Sequence, residues 1–368
     1  MLYDNPWLWF FSYLGIGLLL GTVLYRSDFC MAGMLRDVFL FRDRTRLRHL
    51  FLAVVLTLFL FLLVREVGWQ TFDSPAGFSR GSLLGVAGGV VFGIGMVLAG
   101  GCVFSTLYKM AGGNLAYVLV FCGIIAGSLL YAELFPWLQV LEQQLALAGP
   151  AGLNQLWPQA ARAASWLLVA GALILFVTWQ RQDQWQLPSA SEGYVQPWLA
   201  AVFLAALNAA AYLLSGLPLG ISTAYAKLGA FAENLLLPAH VAQLEYFNRS
   251  SLVVRAGESL LLGGAGPRLD MVAYTEGALL LGILLGAFFN ALLLREFRIY
   301  GRPPLRQGGA AFAGGVMLAL GARLANGCNI KHLLGGLPLL SFQSLLFFGG
   351  LLVGAWVGAR LLPRIILR

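Results

Sequence analysis

Long apolar runs separated by short polar segments extend along the chain, and none of these runs contains Asp, Glu, Lys or Arg. A helix needs about 20 predominantly apolar residues to cross the hydrocarbon core of a bilayer. Nine runs reach or approach this length: residues 7–25, 50–64, 81–108, 110–132, 163–180, 194–226, 277–294, 307–322 and 332–359. The pattern predicts an all-α polytopic membrane protein with about nine transmembrane helices.

Composition strengthens this interpretation. Hydrophobic residues make up 59% of the 368 residues and charged residues 11%, with a mean hydropathy of +0.79. A soluble domain carries about 25% charged residues, so a soluble fold is excluded. No basic residue precedes the first apolar run and no small-residue cleavage site follows it. We therefore expect this run to stay in the mature protein rather than act as a signal peptide.

The net charge of +8 reflects membrane topology rather than a nucleic-acid partner, because the basic residues are distributed over the loops and form no single basic face. With the amino terminus outside, 13 loop arginines lie in the cytoplasm and 6 lie outside. This distribution follows the positive-inside rule. We predict a multi-pass protein of a bacterial inner (plasma) membrane, with its amino terminus outside and its carboxyl terminus in the cytoplasm.

An internal repeat becomes visible when the chain is laid along itself so that Cys102 falls on Cys328. Six residues then coincide with identical residues: Gly88, Gly89, Gly95, Gly101, Cys102 and Gly123 with Gly314, Gly315, Gly321, Gly327, Cys328 and Gly349. The helices before the two cysteines are the third and eighth of the predicted nine, and this odd separation inverts the copies. We predict a first repeat half at residues 1–135, a periplasmic linker and connecting span at 136–196, and an inverted second half at 197–368, all in one membrane domain.

A weaker match relates residues 29–33, which include Cys30, to residues 220–224, which include Ser222, a further candidate residue of the substrate path. Together the matches define four turns, each followed by an apolar stretch too short to span a bilayer. These stretches are residues 31–41, 103–110, 223–231 and 329–337. We predict that they form four short re-entrant half-helices.

The turns Gly101-Cys102 and Gly327-Cys328 are the strongest candidates for a functional site. Backbone that leaves helical geometry at membrane depth must be buried in protein or line a wet cavity, so each turn indicates a pathway. The following half-helix begins with free N–H groups and a positive dipole end, which suit an anion. The thiol adds a weak S–H donor and a soft sulfur atom, which favours an anion with a terminal sulfur.

The energies involved show that binding a dehydrated anion needs more positive charge than two helix termini supply. A helix terminus contributes about 0.3–2 kcal/mol, whereas dehydrating an ion costs on the order of tens of kcal/mol. Lys109 and Lys331 lie close to the two turns. Lys109 either faces the substrate or extends to the cytoplasmic interface. His332, beside Lys331, is either a neutral structural histidine or part of the substrate path.

The remaining sequence offers little other chemistry. The four cysteines form no CxxC, zinc or haem pattern and none lies in a long hydrophilic loop, so we expect no disulfide framework and no metal site. Cys122 has no partner in the repeat and is interpreted as a small buried hydrophobe. Phosphate-loop, HExxH and dinucleotide fingerprints do not occur, so we expect no cofactor and no nucleotide hydrolysis by this chain.

Four motifs carry a resemblance to a known family. They are Ser27-Asp28-Phe29-Cys30, Gly100-Gly101-Cys102 with Leu107-Tyr108-Lys109, Leu219-Gly220-Ile221-Ser222, and Asn326-Gly327-Cys328. With them, nearly the whole chain resembles the YeeE/YedE family of sulfur-compound transporters. The resemblance implies an hourglass of nine spans with inward-pointing short helices. It also implies a central path in which thiosulfate passes between the thiols of Cys30, Cys102 and Cys328 through S–H hydrogen bonds, without a covalent step.

The chain departs from the family pattern near these cysteines. Where the family often has a glycine three positions after the path cysteine, this chain has Ser105 and Lys331. The family's Gly-Glu-Gly after the first half-helix reads Ala111-Gly112-Gly113 here. A charged residue close to Cys328 would shift the substrate among sulfur or selenium anions.

The leading hypothesis is a transporter in the lipid bilayer that imports thiosulfate or a related inorganic sulfur anion, and not an enzyme. Three alternatives stay open. The chain is a transporter of selenium or other sulfur species, a passive channel, or a membrane sulfur-transfer or redox enzyme that uses the same cysteines. A cytoplasmic sulfur-carrier protein is a candidate partner.

Overall fold

A computed structural model describes residues 5–68, 77–182, 185–187, 193–250, 252–256 and 259–366. Its helices are α1 (Pro6–Ser27), α2 (Met31–Leu40), α3 (Thr45–Glu66), α4 (Leu83–Leu98), α5 (Val103–Ala111), α6 (Leu115–Gln144), α7 (Leu153–Leu156), α8 (Pro158–Arg181), α9 (Pro197–Ser215), α10 (Ser222–Leu236), α11 (Pro238–Gln243), α12 (Glu245–Asn248), α13 (Ala278–Leu293), α14 (Leu305–Leu324) and α15 (Phe342–Ile366). Two π-helical turns, π1 (Ala273–Gly277) and π2 (Lys331–Gly336), and an antiparallel hairpin of β1 (Leu252–Ala256) and β2 (Ser259–Gly263) complete the fold.

The described residues contain nine long helices outside the short segments at the turns, namely α1, α3, α4, α6, α8, α9, α13, α14 and α15. Eight helical segments in the described part of the chain are long and apolar enough to cross a membrane. Helix α14 is not among them, because Arg306 and Arg323 lower the hydropathy of its 20 residues. The prediction of an all-α polytopic membrane protein is confirmed.

Three of the predicted spans are interrupted. The run 81–108 breaks between α4 and α5, the run 194–226 breaks between α9 and α10, and the run 332–359 contains π2 and a turn before α15. These interruptions fall where the sequence predicts the half-helices. Helices lie at the four predicted positions: α2, α5, α10 and the segment that begins after Cys328, and α10 extends to residue 236 rather than ending at the predicted residue 231.

Glycines allow the long helices to approach backbone to backbone. A side chain at Gly89 or Gly93 of α4 would lie 2.4 and 2.6 Å from backbone oxygens of α15. A side chain at Gly21 of α1 would lie 2.3 Å from the backbone oxygen of Ile283 in α13. Small residues at such contacts compensate for the weak hydrophobic drive between helices in lipid.

The two helices that precede the Gly-Cys turns pack against each other through the repeated glycines. A Cβ atom at Gly88 of α4 would lie 2.8 Å from the carbonyl oxygen of Gly321 in α14, and one at Gly95 would lie 2.9 Å from that of Gly314. Gly88 and Gly314 are repeat partners, as are Gly95 and Gly321. The contacts are thus antiparallel and reciprocal, which is the pattern that a two-fold relation produces.

All four cysteines have free thiols. Cys30, Cys102 and Cys328 are buried, whereas Cys122 is exposed on α6. The interpretation of Cys122 as a buried hydrophobe was therefore wrong. An apolar span has two faces, and sequence did not show that Cys122 lies on the outward face of α6.

Candidate substrate path

The two Gly-Cys turns have the same backbone hydrogen bonds. The amide of Gly101 donates to the carbonyl of Met96 over 3.0 Å, and the amide of Gly327 donates to that of Ala322 over 2.8 Å. The preceding residues, Gly100 and Asn326, both adopt the left-handed conformation, with φ of 68° and 57°. In the register that lays Cys102 on Cys328, each of these positions falls on its counterpart, so the two turns correspond residue by residue.

Glycine makes room for neighbouring side chains at both turns. A Cβ atom at Gly101 would lie 2.5 Å from Oγ of Ser105 and 3.2 Å from the ring of Tyr117. A Cβ atom at Gly327 would meet the side chains of Lys331 at 2.8 Å and His332 at 3.0 Å. Each glycine therefore leaves room for a side chain from the next helical turn to fold back over the Gly-Cys turn.

Cysteines occupy the N-cap positions of the two short helices in the first half. The sulfur of Cys30 accepts a hydrogen bond from the amide of Gly33 over 3.4 Å. The amide of Cys102 donates to Oγ of Ser105 over 2.6 Å, and the Ser105 hydroxyl lies 3.6 Å from the Cys102 sulfur. These local bonds satisfy amides that a helix start leaves free, and they fix both thiols where the helices begin.

The three predicted path cysteines lie deep in the protein. Their exposed fractions are 5% for Cys30, 2% for Cys102 and 0% for Cys328. Tyr225 of α10 is fully buried, and its hydroxyl donates to the carbonyl of Val103, the residue after Cys102, over 2.7 Å. Tyr225 thus connects the two halves beside the Gly101-Cys102 turn.

Asn329 makes a second connection between the halves. It is fully buried directly after Cys328, and its Nδ2 donates to the sulfur of Met31 over 3.6 Å. Its Oδ1 has no hydrogen-bond partner among the described residues. A buried amide oxygen without a donor is costly, so this atom is available to a donor that enters the path.

A cavity of about 760 Å³ opens beside the first-half short helices. We name it the Lys109 vestibule, and its lining includes Ser27, Asp28, Arg46, Tyr108, Lys109, Asn114, Tyr194, Arg295, Glu296 and Arg298. Lys109 Nζ lies 3.9 Å from the Asp28 carboxylate and 3.4 Å from the Tyr117 hydroxyl.

The hydroxyl of Tyr194 donates to Glu296 over 2.9 Å at the same vestibule. Partial burial raises the pKa of Tyr194 to about 12, and the hydrogen bond to Glu296 acts in the same direction. The phenol therefore remains a hydrogen-bond donor at neutral pH.

A second cavity, of about 470 Å³, opens beside the second-half short helices. We name it the Lys331 vestibule, and its lining includes Phe78, Tyr131, Glu142, Ser222, Thr223, Arg249, Glu276, Arg323, Asn326 and Lys331. Lys331 Nζ donates to the carbonyl of Asn326 over 2.9 Å and lies 5.3 Å from the centre of the Phe78 ring. Its cationic head thus faces the cavity just after the Gly327-Cys328 turn.

Helix α6 places the two vestibules at opposite ends of the protein. Its N-cap, Asn114, lines the Lys109 vestibule, whereas Tyr131 and Glu142 line the Lys331 vestibule. At 1.5 Å per residue, the stretch from Asn114 to Tyr131 corresponds to about 25 Å of helix. The buried thiols lie between two cavities that open in opposite directions, as in an hourglass.

The predicted site residues therefore separate into three groups. Lys109 belongs to one vestibule, and Ser222 and Lys331 belong to the other. Cys30, Cys102 and Cys328, with Gly101 and Gly327, lie between them.

His332 belongs to neither vestibule. It is fully buried, its Nε2 lies 3.0 Å from the carbonyl of Ala325, and its Nδ1 lies 2.9 Å from Oγ of Ser344. Its ring stacks on Phe347 with 4.3 Å between the ring centres. A carbonyl only accepts, so Nε2 carries the proton and Nδ1 accepts from the serine. Both ring nitrogens are engaged, which favours the structural interpretation of His332.

Glu276 is a site residue that the sequence interpretation missed. Its carboxylate accepts hydrogen bonds from the amides of Thr223 over 2.8 Å and Ala224 over 3.1 Å, at the start of α10. It is the single charged residue between Asp270 and Arg295. An acidic group in so apolar a stretch is a recognisable signal of function, but the predicted span began directly after it.

A candidate cation ligand set lies outside the path. His240 has Nδ1 at 2.7 Å from Glu233 and Nε2 at 3.3 Å from Glu133. None of the three side chains lines either vestibule. The path itself is built from thiols, amides, hydroxyls and lysines.

Comparison with known proteins agrees with this architecture. The family described as sulphur transport matches residues 26–357. The thiosulfate transporter TsuA of Spirochaeta thermophila is 28% identical over 362 residues, covering 95% of this chain and 98% of that protein. TsuA of Escherichia coli is 25% identical, covering 93% and 92%. The probable transporter YedE of Salmonella typhimurium is 34% identical over 90 residues, or 24% of this chain and 22% of that protein. The family resemblance found in the motifs is confirmed, and the chain belongs to the sulphur transport family of membrane proteins.

Proposed function

We propose that this protein imports thiosulfate, or a closely related inorganic sulfur anion, across a bacterial inner membrane. The observation that carries the proposal is the position of three buried thiols between two vestibules that open in opposite directions. The full-length relatives named as thiosulfate transporters support the choice of substrate.

The path begins at the Lys331 vestibule and ends at the Lys109 vestibule. The anion first meets Lys331 and Arg323, passes Cys328, and reaches Cys102 and Cys30 before it leaves beside Lys109. Each thiol donates an S–H hydrogen bond to the terminal sulfur of the anion. No S–S bond forms, so the anion leaves as it entered.

Several groups share the cost of removing water from the anion. The short helices direct their N-termini toward the thiols, and each contributes about 0.3–2 kcal/mol. Hydrogen bonds from the thiols and the two lysines add to this. A sequence of partial sites keeps each bound state shallow enough for release, which transport requires.

The proposed membrane orientation follows from the arginine distribution. The amino terminus lies outside, the carboxyl terminus lies in the cytoplasm, and the Lys331 vestibule faces outward. The repeat halves, residues 1–135 and 197–368, are then inverted copies. Identical turn geometry and the reciprocal glycine contacts of α4 and α14 support this relation.

Uptake of sulfur-labelled thiosulfate into proteoliposomes tests the proposal. We expect Cys102→Ser and Cys328→Ser each to reduce the initial rate more than tenfold, because a hydroxyl interacts poorly with the soft terminal sulfur. Cys122→Ser is the matched control, since Cys122 lies exposed on α6, and it should keep the wild-type rate. Unchanged uptake in both path variants would refute the relay.

The same proteoliposomes, examined during uptake, address two other hypotheses. A stable persulfide on Cys102 or Cys328 during turnover, detected by mass spectrometry, would indicate sulfur transfer instead of transport. A cytoplasmic sulfur-carrier protein is proposed as the acceptor of the product. Liposomes contain no such protein, so full uptake there would show that a carrier is not required for passage.

A further inference from the structure

We propose that Glu276 acts as a tethered anion that occupies the start of α10, at the outer end of the path, until substrate displaces it. This inference rests on the proposed function, because it names the residue with which the imported anion competes. Its basis is the position of the Glu276 carboxylate at the start of α10, where the sequence predicts one of the four half-helices.

The carboxylate makes the contacts that a small oxyanion would make. One oxygen accepts hydrogen bonds from the amides of Thr223 and Ala224. The other oxygen faces Gly220, whose added Cβ atom would lie 3.5 Å from it. These amides belong to the first turn of a 15-residue helix, where free N–H groups and the helix dipole favour a negative charge.

The surroundings of Glu276 distinguish it from an ordinary helix cap. It comes from another part of the chain, 53 residues from Thr223, and it lines the Lys331 vestibule with Ser222, Arg323 and Lys331. It lies in the π-helical turn π1, and such irregular turns occur frequently at functional sites. The side chain is partly exposed to the cavity, so it can rotate away from α10 without unfolding a helix.

The first half has no equivalent arrangement among its described residues. The start of α2 is capped by Cys30 and that of α5 by Ser105, both from within their own turns and both uncharged. An anion at α10 must instead displace a negative charge. This competition lowers its apparent affinity and excludes anions that bind weakly.

Equilibrium binding of labelled thiosulfate to the purified protein in detergent tests the proposal. Glu276→Gln keeps an oxygen that can accept from these amides but removes the competing charge. We expect it to bind thiosulfate about tenfold more tightly than wild type, in the range that a helix-terminus interaction allows. Affinity that is unchanged or weaker, in a variant with wild-type thermal stability, would overturn the proposal.

Glu142→Gln is the matched control. Glu142 lines the same vestibule, but its carboxylate accepts from Nδ2 of Asn326 and not from a helix start. The Glu142→Gln variant loses the same charge but leaves the amides at the start of α10 bound to Glu276. We therefore expect its affinity for thiosulfate to change less than twofold. Equal tightening in both variants would attribute the effect to general charge repulsion and would overturn the proposal.

Glu276→Asp decides the question if the glutamine variant does not fold. It keeps the charge but shortens the side chain by one methylene, which weakens its hold on the amides. We expect thiosulfate binding to tighten about threefold, and unchanged or weaker binding would count against displacement.

Sulfate serves as a second probe, which tests the displacement of Glu276 independently of whether thiosulfate is the substrate. We expect millimolar sulfate to raise the unfolding temperature of Glu276→Gln but not that of wild type. This result would support displacement even if wild-type protein took up no thiosulfate. Absence of both the sulfate effect and tighter thiosulfate binding would overturn it.

Discussion

The two halves of the protein build the same turn but complete it differently. In the first half, the helix after the turn is a regular α-helix, and Oγ of Ser105 accepts from the amide of Cys102 within the turn. In the second half, the corresponding segment continues as π2, and Lys331 occupies the position of Ser105. The Lys331 side chain folds back onto the carbonyl of Asn326 and faces the vestibule.

This comparison separates what the two turns share from what differs between them. The backbone turn is set by glycine and a left-handed residue, and both copies keep it. The position three residues after the cysteine is free to vary, because it does not set the turn. A serine at this position accepts a hydrogen bond from the cysteine amide, whereas a lysine places a positive charge in a cavity.

The largest expected effect is a loss of folding stability from a substitution in the second half, compared with the corresponding substitution in the first half. His332→Ala removes two buried hydrogen bonds and a ring stacked on Phe347, which should cost about 3 kcal/mol or more of folding stability. Thermal unfolding in detergent measures this loss. Thr106→Ala, at the corresponding position of the first half, removes a single hydroxyl bonded to the Cys102 carbonyl and should cost about 1 kcal/mol. Equal losses would contradict the structural role of His332.

A second prediction concerns Cys30. Cys30→Ser should keep wild-type thermal stability, because serine is a good N-cap, but should lower thiosulfate uptake about tenfold, or about 1.4 kcal/mol. Proteoliposome uptake and thermal unfolding are measured on the same preparation. Wild-type uptake by this variant would remove Cys30 from the path and leave Cys102 and Cys328 as its two stations.

A third prediction tests the hydrogen bond between Ser105 and the backbone of the first-half turn. Ser105→Ala leaves the amide of Cys102 without its acceptor, and the loss of such a cap costs about 1 kcal/mol. We expect a lower unfolding temperature together with slower uptake, because the Cys102 thiol loses its fixed position. Ser105→Thr, which keeps the hydroxyl, is the control, and a defect of equal size in both would assign the effect to packing.

The smallest expected effect is a change in KM when the lysine of either vestibule is replaced. Lys331→Gln should raise the KM for uptake about threefold, and Lys109→Gln should raise the KM for the opposite flux by a similar factor, since each removes about 0.6 kcal/mol of charge attraction. Influx and efflux are measured in vesicles of defined orientation. If Lys109→Gln alone raised the KM for uptake, the proposed membrane orientation would be reversed.

The sequence by itself determined the membrane class, the positions of the four short helices and the correspondence of the two turns. Apolar runs report burial in lipid directly. The Gly-Cys pairs at Gly101 and Gly327 mark turns within or next to these runs. Both signals are local and can be read without knowledge of the fold. The repeat also linked Cys102 to Cys328, although the two lie in opposite halves of the chain.

Only the tertiary structure decided which neighbouring residues share a cavity. Lys331 and His332 are adjacent in sequence, yet one faces a vestibule and the other is enclosed against Phe347. Glu276 reaches the start of α10 from a different helical segment, and Tyr225 of α10 donates to the carbonyl of Val103, beside the first-half turn. The physical reason is that a side chain's role in the path depends on the direction it takes from the backbone and on what packs against it. Neither quantity is encoded by hydropathy or spacing along the chain.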